Sequence, residues 1–412
     1  MWKYSRKLTG AVLALCLMFG FPGKNFAQKI ENIDGVSTVH NGDTGLWGKN
    51  PQIDLKFVKT IGSLETADEN LMFYMPVDVT VDHEGNIYVL DQGNYRIQKF
   101  DRSGKYLQTF GRDGQGPGEF RSPTSITIDN EGNLFVGDEQ NKRIQVFFSN
   151  GKSKQTIRFD KIVGNLLLKQ NGNIVLSAFR GVVTMDIDMS DKEAKAAPLL
   201  MELNTNGEKL GTFGIPFEYE DPITKGSGNN FDFAIDRENN TFVSFKQRNR
   251  IEKYSNDGEL VLRIDRELNY EEMLPPTSSD MTIVGADGKA EKIKRKKPNL
   301  RDISYGIGVD GKGRIWVATA DRMIREDEKA GRHTSVSMGA GGQYQMSVTV
   351  QGATDNLKTD MLKLEVFAPT GELLGAIPLT HFCDRLRIFG DKLYIVDEVR
   401  GMQVYEYSIV EK

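Results

Sequence analysis

The stretch DHEGNIYVLDQGNYRIQKFDRSGKYLQTFG, residues 82–111, decides the fold. A polar turn at Gly85-Asn86 leads into the apolar-aromatic segment Ile87-Tyr88-Val89-Leu90. A polar loop follows, and then a second hairpin, Arg96 to Phe100 and Tyr106 to Phe110, folds across Asp101-Arg102-Ser103-Gly104. The alternating segment Val77-Asp78-Val79-Thr80-Val81 stands before it. Alternation broken by glycine-bearing turns signals antiparallel hairpins, so the unit is four strands, a to d.

The unit recurs along the chain. Its turn and second strand return as DNEGNLFVGD (129–138), KQNGNIVLSA (169–178), DRENNTFVSF (236–245), DGKGRIWVAT (310–319) and IFGDKLYIVD (388–397). Its second hairpin returns at 143–152, 199–214, 250–261 and 362–375. Six four-stranded units of roughly 40 residues predict an all-β fold, a six-bladed β-propeller. The sixth unit ends at Lys412 without a fourth strand, whereas Asp54 to Gly62 resembles the fourth strands that end Thr109-Phe110-Gly111 and Thr212-Phe213-Gly214. An N-terminal strand is therefore expected to complete the last blade, leaving no interior edge unpaired.

The rest of the chain bounds the class. Its 412 residues are 39% hydrophobic and 27% charged, as in a globular protein, and two cysteines exclude a disulfide scaffold. Basic residues before an apolar run from Leu8 to Phe21, with a small-residue cleavage candidate after Ala27, predict a signal peptide over 1–27. A lead segment, 28–50, then precedes the propeller, 51–412. The stretch Leu13-Ala14-Leu15-Cys16 outlines a lipobox, but Leu15 stands where a small residue belongs, which argues against a lipid anchor. Without residues 1–27 the chain has 49 basic and 57 acidic side chains, a net charge of -8. That balance and an exported location speak against a nucleic-acid partner. A secreted or periplasmic monomer that does not span a membrane is expected.

The segments Asp91-Gln92-Gly93-Asn94-Tyr95-Arg96-Ile97 and Asp138-Glu139-Gln140-Asn141-Lys142-Arg143-Ile144 resemble NHL repeats. The whole chain after residue 27 is similar to secreted bacterial six-bladed NHL-type propellers. The match is specific in blades 1 and 2, including GRDGQGPGEF (111–120), and eroded in blades 3, 5 and 6. The resemblance implies the fold; the group is functionally mixed, so it does not imply an activity.

Irregularities point to one face. Equivalent turn positions, Gly85, Gly132, Gly172, Asn239, Gly313 and Asp391, are 47, 40, 67, 74 and 78 residues apart. The surplus falls at 179–197, 214–230, 266–302 and 322–361, all in b-to-c or d-to-a connections, which share the top face of a propeller. Loops elaborated on one side of a rigid scaffold are where binding is expected. Arg96, Arg143, Arg180, Arg248, Arg250, Arg322 and Arg400 fall in b-to-c connections, and KIKRKK (292–297) in the blade 4 to 5 insertion. A guanidinium suits carboxylate, sulfate or phosphate; for Arg96 and Arg143, pairing with Asp91 and Asp138 within the blade is the competing reading.

Alternation along strand a assigns Asp78/Thr80, Ser125/Thr127, Asn165/Leu167, Asp232/Ala234, Gly306/Gly308 and Arg385/Arg387 to the central channel. The upper set, Asp78, Ser125, Asn165, Asp232 and Arg385, converges polar groups at the channel mouth. Arg250, Tyr305 and Arg400 join it as ligand-binding candidates on the top face; Phe73, Tyr74, Phe231 and Phe382 are further aromatics in reach. No cofactor is expected, although oxygen ligands from Asp78, Asp232, Asn165 and Ser125 suit calcium, with Arg385 opposing it. The four histidines, His40, His83, His333 and His381, are placed too far apart for a zinc lyase, and no Gly-x-Ser-x-Gly elbow occurs. The sequence thus favours a non-catalytic exported propeller that binds an extracellular or periplasmic peptide, protein or anionic glycan. The alternative is a calcium-dependent hydrolase or lyase at the channel mouth.

Overall fold

The computed structural model describes residues 28–159, 164–178, 198–219, 222–284, 290–338, 344–352 and 357–412. The predicted signal peptide and the insertion 179–197, with Arg180, lie outside these residues. Six four-stranded antiparallel sheets follow one another around an axis, and neighbouring inner strands touch in sequence order, the sixth against the first. Blade 1 runs Pro76–Val81, Ile87–Asp91, Arg96–Phe100 and Tyr106–Phe110; blade 2 runs Pro123–Ile128, Leu134–Asp138, Arg143–Phe147 and Ser153–Arg158. Blade 3 runs Leu166–Leu168, Ile174–Ser177, Leu200–Leu203 and Lys209–Phe213; blade 4 runs Phe231–Ile235, Thr241–Phe245, Ile251–Tyr254 and Leu260–Arg266. Blade 5 runs Ser304–Val309, Ile315–Ala320, Lys358–Phe367 and Leu373–His381. Blade 6 takes Arg385–Phe389, Lys392–Asp397 and Gln403–Glu411 from the end of the chain and Ile53–Ile61 from its beginning.

The repeat forms because the a-to-b turns of blades 1 to 5 solve the same local problem, blade 6 turning instead on Gly390 and Asp391 alone. Asp82 Oδ1 accepts the N–H groups of Glu84 and Asn86 while Gly85 takes φ +84°, a left-handed conformation open to glycine. In blade 4 Asn239 takes φ +67° at the same place, the substitution such a turn tolerates best. Apolar residues on both sheet faces then pack between blades. Six buried clusters result, one at each of the six junctions, from Val79, Phe73 and Tyr394 between blades 6 and 1 to Trp316, Leu364 and Leu386 between blades 5 and 6.

Closure follows the expected route: Ile53–Ile61 pairs antiparallel with Gln403–Glu411, and both Ile53 and Ile61 are buried. The lead segment is more ordered than its composition suggested. Lys29–Ile33 and Val36–Asn41 form a hairpin, and the second strand extends blade 4 by pairing parallel to Leu260–Arg266. The insertion 266–302 contains the hairpin Met273–Val284 with Ala290–Leu300, and 322–361 contains Ala330–Met338 with Tyr344–Gly352. The insertion 214–230 carries a short helix, Pro222–Gly228. No helix among the described residues is long and apolar enough to cross a membrane.

The inner strands depart from the alternation reading in one physical respect. Propeller blades stack face to face, so a side chain on strand a turns toward a neighbouring blade as readily as toward the axis. A Cβ on Gly306 would stand 2.8 Å from the backbone nitrogen of Leu386, and one on Gly308 would stand 2.8 Å from Ile388 Cγ1. These glycines permit close approach of blades 5 and 6 rather than clearing a channel.

Deleting residues 51–61 removes two buried isoleucines, worth about 2–5 kcal/mol each, and bares the edge of Gln403–Glu411. The expected result is loss of the cooperative thermal transition, and an unchanged melt would contradict closure by this strand. Gly306→Ala should cost about 1–3 kcal/mol by overpacking, read in a denaturant titration against Gly331→Ala, where nothing stands near the added Cβ.

Candidate functional site

Two of the top-face arginines are held inside their blades. Arg96 Nε donates to Asp91 Oδ2 at 2.8 Å and its Nη2 to the carbonyls of Glu69 and Met72. Arg143, almost wholly buried, donates to Asp138 Oδ2 at 2.8 Å and to the carbonyls of Gln115, Gly116 and Glu119. The Asp–Arg pair therefore clamps the d-to-a loop that enters its own blade, which explains why GRDGQGPGEF keeps its form. A buried ion pair is tolerable when its remaining donors are satisfied, and here loop carbonyls take Nη2 of Arg96 and both Nη1 and Nη2 of Arg143.

Erosion of that pair changes what stands on the top face. In blade 4 the aspartate position is Phe245, whose N–H donates to the carbonyl of Arg250, the residue at the arginine position. Among the described residues the half-buried Arg250 guanidinium makes no hydrogen bond or close ion pair, its charge acting instead on Glu252. Its neighbour Arg248 stacks over Phe217 and Tyr219, 4.8 and 5.0 Å from the ring centroids, and donates to Tyr219 Oη at 2.8 Å. In blade 6 the opposite loss occurs: Asp397 remains while Gln403 takes the arginine position. Asp397 accepts the N–H groups of Val399, Arg400 and Gly401 instead, and burial followed by the nearby Asp384 charge pushes its carboxyl up to about 6.

At the channel mouth the structure brings Asp78, Asn165, Asp232 and Arg385 together. Arg385, at the start of blade 6, sends its guanidinium across the axis to blade 3, where Nη2 donates to Asn165 Oδ1 at 3.3 Å. On the way it stands 3.9 Å from Asp78 Oδ1 and 3.9 Å from Asp232 Oδ1, beyond hydrogen-bond reach of either. Asp78 belongs to Arg387, which donates Nε and Nη2 to its two oxygens at 2.9 and 3.1 Å. Asp78 Oδ2 also accepts the N–H of Ile126 in blade 2, and Ser125 Oγ accepts the N–H of Leu166 in blade 3. These two side chains thus staple one inner strand to the next, and Ser125 is engaged at the blade 2 to 3 junction.

Asp232 is less well served. Its nearest cation is Lys246 Nζ, 3.5 Å from Oδ2, and that oxygen has no hydrogen bond among the described residues. Burial alone would raise its carboxyl, but the charges of Lys246, Arg385 and Arg387 outweigh this and hold it below its ordinary value. Asp232 in turn raises Lys246, whose side chain is 35% exposed. Half-buried Asp384 and Glu398 stand on the rim. Lys246 and the two rim acids were not among the sequence candidates; the run Lys246-Gln247-Arg248-Asn249-Arg250 in a b-to-c connection was the available signal.

The other candidates surround this mouth. Tyr305 is half-buried; burial and then the Asp302 charge push its phenol up. Arg400 lies 3.6 Å over the Phe382 ring and donates Nη2 to the carbonyl of Glu328 at 2.8 Å. Glu328 is the hub of the blade 5 loop: it accepts Arg322 Nη1 and Nη2 and the N–H of Arg325, which holds its carboxyl down at about 2. Phe73, Phe231 and Phe382 are buried in blade junctions. His40 binds Asp265 on the outer edge of blade 4, His381 stacks on Tyr405, and His83 is exposed on the opposite face. Among the described residues no three histidine, cysteine or carboxylate side chains converge as a metal site requires. Two clefts, of about 300 and 500 Å³, lie on the opposite face between blades 3 and 4 and between blades 6 and 1.

With this geometry in view, the comparisons with known proteins concern the fold. The family model for a 6-bladed beta-propeller, DUF5128, matches residues 51–213. No curated protein matches the sequence. A Bacteroides vulgatus member of the DUF4221 family aligns over 88% of this chain and 99% of its own at 12% identity, with a TM-score of 0.54. A candidate exported protein of Bacteroides fragilis aligns over 91% of this chain and 99% of its own at 10% identity, with a TM-score of 0.50. Virginiamycin B lyase of Staphylococcus aureus covers 87% of this chain and all of its own at 10% identity and a TM-score of 0.45. The chain is an all-β six-bladed propeller.

Glu328 sets a pH dependence. A carboxyl held at about 2 against an ordinary 4.5 contributes stability that is present above 4.5 and lost as pH falls toward 2. Glu328→Gln should cost about 2 kcal/mol at neutral pH and flatten the acid limb of the stability profile. Urea titrations at several pH values read both effects, and parallel wild-type and variant profiles would refute this assignment.

Proposed function

We propose that this protein is an exported, non-catalytic binding propeller that holds an extracellular or periplasmic peptide, protein or anionic glycan on its top face, centred on the channel mouth. The observation that carries the reading is Arg385. This buried guanidinium is split between two carboxylates at 3.9 Å and bonded to neither, with Nε and Nη1 lacking any acceptor among the described residues. Leaving buried donors unmatched is costly, and such sites are kept where a ligand supplies the acceptor. Arg250, released from the in-blade pairing that holds Arg96 and Arg143, extends the same face. The signal-like N-terminus and the resemblance to secreted NHL-type propellers support an exported setting.

An array of peptides and glycans probed with residues 28–412 tests the reading. Binding should weaken at least about tenfold in Arg385→Ala, the scale of a charged hydrogen bond, and measurably in Arg250→Ala. Binding that both variants retain would place the ligand elsewhere, and no binding across the array would sink the proposal.

A further inference from the structure

We propose that the channel mouth reads a free peptide C-terminus, with the terminal carboxylate on Arg385 and the last backbone N–H on Asp232. This rests on the top face being the ligand face and names the chemical group that enters it.

Three observations lead there. First, the floor of the mouth offers both kinds of unmatched partner. Arg385 is 7% exposed, with Nε and Nη1 only in 3.9 Å ion pairs and without a hydrogen bond, and Asp232 is 3% exposed, with Oδ2 held only by the 3.5 Å ion pair to Lys246. A ligand that satisfies both must present an acceptor and a donor side by side. The last residue of a peptide does so, because its carboxylate and its N–H are carried on one carbon, roughly 3 Å apart. The gap to be spanned, 3.9 Å from Arg385 Nη1 to Asp232 Oδ1, is of that order.

Second, the floor itself, without the two rim acids, has one cation over. Lys246, Arg385 and Arg387 face Asp78 and Asp232, and Asp78 is already matched by the two-pronged contact from Arg387. A single carboxylate balances the floor, while Asp384 and Glu398 above it also act on Lys246 and Arg385. A lone cation would meet three positive groups, and a neutral amide would leave the surplus charge in place. Capture of a terminal carboxylate by fixed donors is an established mode of peptide recognition.

Third, the rim selects against a polyanion. Asp384 and Glu398 stand around the mouth, close enough to raise the hold of Lys246 on its proton. A chain of repeated negative charges would pass these acids to reach Arg385, whereas a peptide brings its one carboxylate to the floor and places its preceding residues at the rim. Basic or polar residues before the terminus are therefore favoured. Among the described residues the one hydrogen bond a ligand would displace from the guanidinium is the 3.3 Å contact to the neutral Asn165, beside the two carboxylates at 3.9 Å.

The test compares matched peptides ending in a free acid or in a carboxamide, drawn from a random library of C-terminally exposed peptides and titrated by calorimetry. The acid form should bind at least about tenfold more tightly than the amide, and Arg385→Gln should abolish that preference. Asp232→Asn should weaken acid and amide peptides alike, and wild-type acid-versus-amide data stand even if a variant fails to fold. Equal binding of acid and amide, or selection only of internal peptide segments or glycans through Arg250, would overturn this inference while leaving the top-face reading intact. No binding of any peptide or glycan would remove both.

Discussion

Every blade of this protein has two apolar faces, and only a closed ring covers all of them. The pairing of Ile53–Ile61 with Gln403–Glu411 supplies that closure, and the rest of the structure depends on it. Without it blade 6 would present an unpaired edge and lose the residues that pack against Trp316 and Tyr405. The constraint also shapes the segment before it. Val36–Asn41 lies along the outer strand of blade 4, Leu46 and Trp47 donate to the carbonyls of Leu373 and Leu374 in blade 5, and the chain then enters blade 6. Asn41 fastens this belt by donating to the carbonyls of Asp265 and Gly371 and accepting the N–H of Leu373. Three consecutive blades are thus tied on the outside by the same segment that closes the ring.

Within the ring, a buried Asp–Arg pair does for a loop what the belt does for the blades. In blades 1 and 2 the arginine's further donors go to loop carbonyls, which offsets the cost of burying charge. Losing either half has a physical consequence. Replacing the aspartate by Phe245 puts an apolar ring in the junction, against Phe217 and Phe231, and leaves Arg250 without its internal acid. Keeping Asp397 without the arginine forces three backbone N–H groups to serve it, and these form the turn that sets Arg400 against Phe382. In blade 4 the departure from the repeat thus leaves a half-buried guanidinium on the top face, whereas in blade 6 Asp397 and Arg400 stay buried.

The same distinction explains what was legible in the sequence. Blade grammar is local: a turn such as Asp82 to Asn86 and the strand after it can be read within ten residues, and the closing strand betrays itself because it copies other fourth strands. The mouth is not local. Arg385 meets Asn165 across 220 positions and two opposite blades, and no periodicity encodes that contact. Alternation correctly brought Asp78, Asn165, Asp232 and Arg385 near one another, but it could not distinguish a side chain facing the axis from one facing the next blade. Ser125 and Gly306 fall on the second side of that distinction. Lys246 was hidden differently, since it lies one residue beyond the last strand b position of blade 4.

The crossing of Arg385 also makes the two faces unequal. With its guanidinium spanning from blade 6 to blade 3, and Arg387 filling the level beneath with Asp78, the axis is occupied by paired charge just inside the top mouth. A ligand reaching these groups comes from the side of the b-to-c and d-to-a connections. The opposite face offers clefts, and one of them shows little unspent polarity. Beside the one between blades 3 and 4, Lys169 Nζ binds Glu202 and the carbonyl of Asn256 at 2.7 and 2.8 Å, and Asn173 completes Glu202. Its polar groups satisfy one another, whereas those at the top mouth do not. Cleft volume and unmatched polar groups are thus separated in this molecule, and it is at the charge-frustrated mouth that donors and acceptors remain without hydrogen bonds.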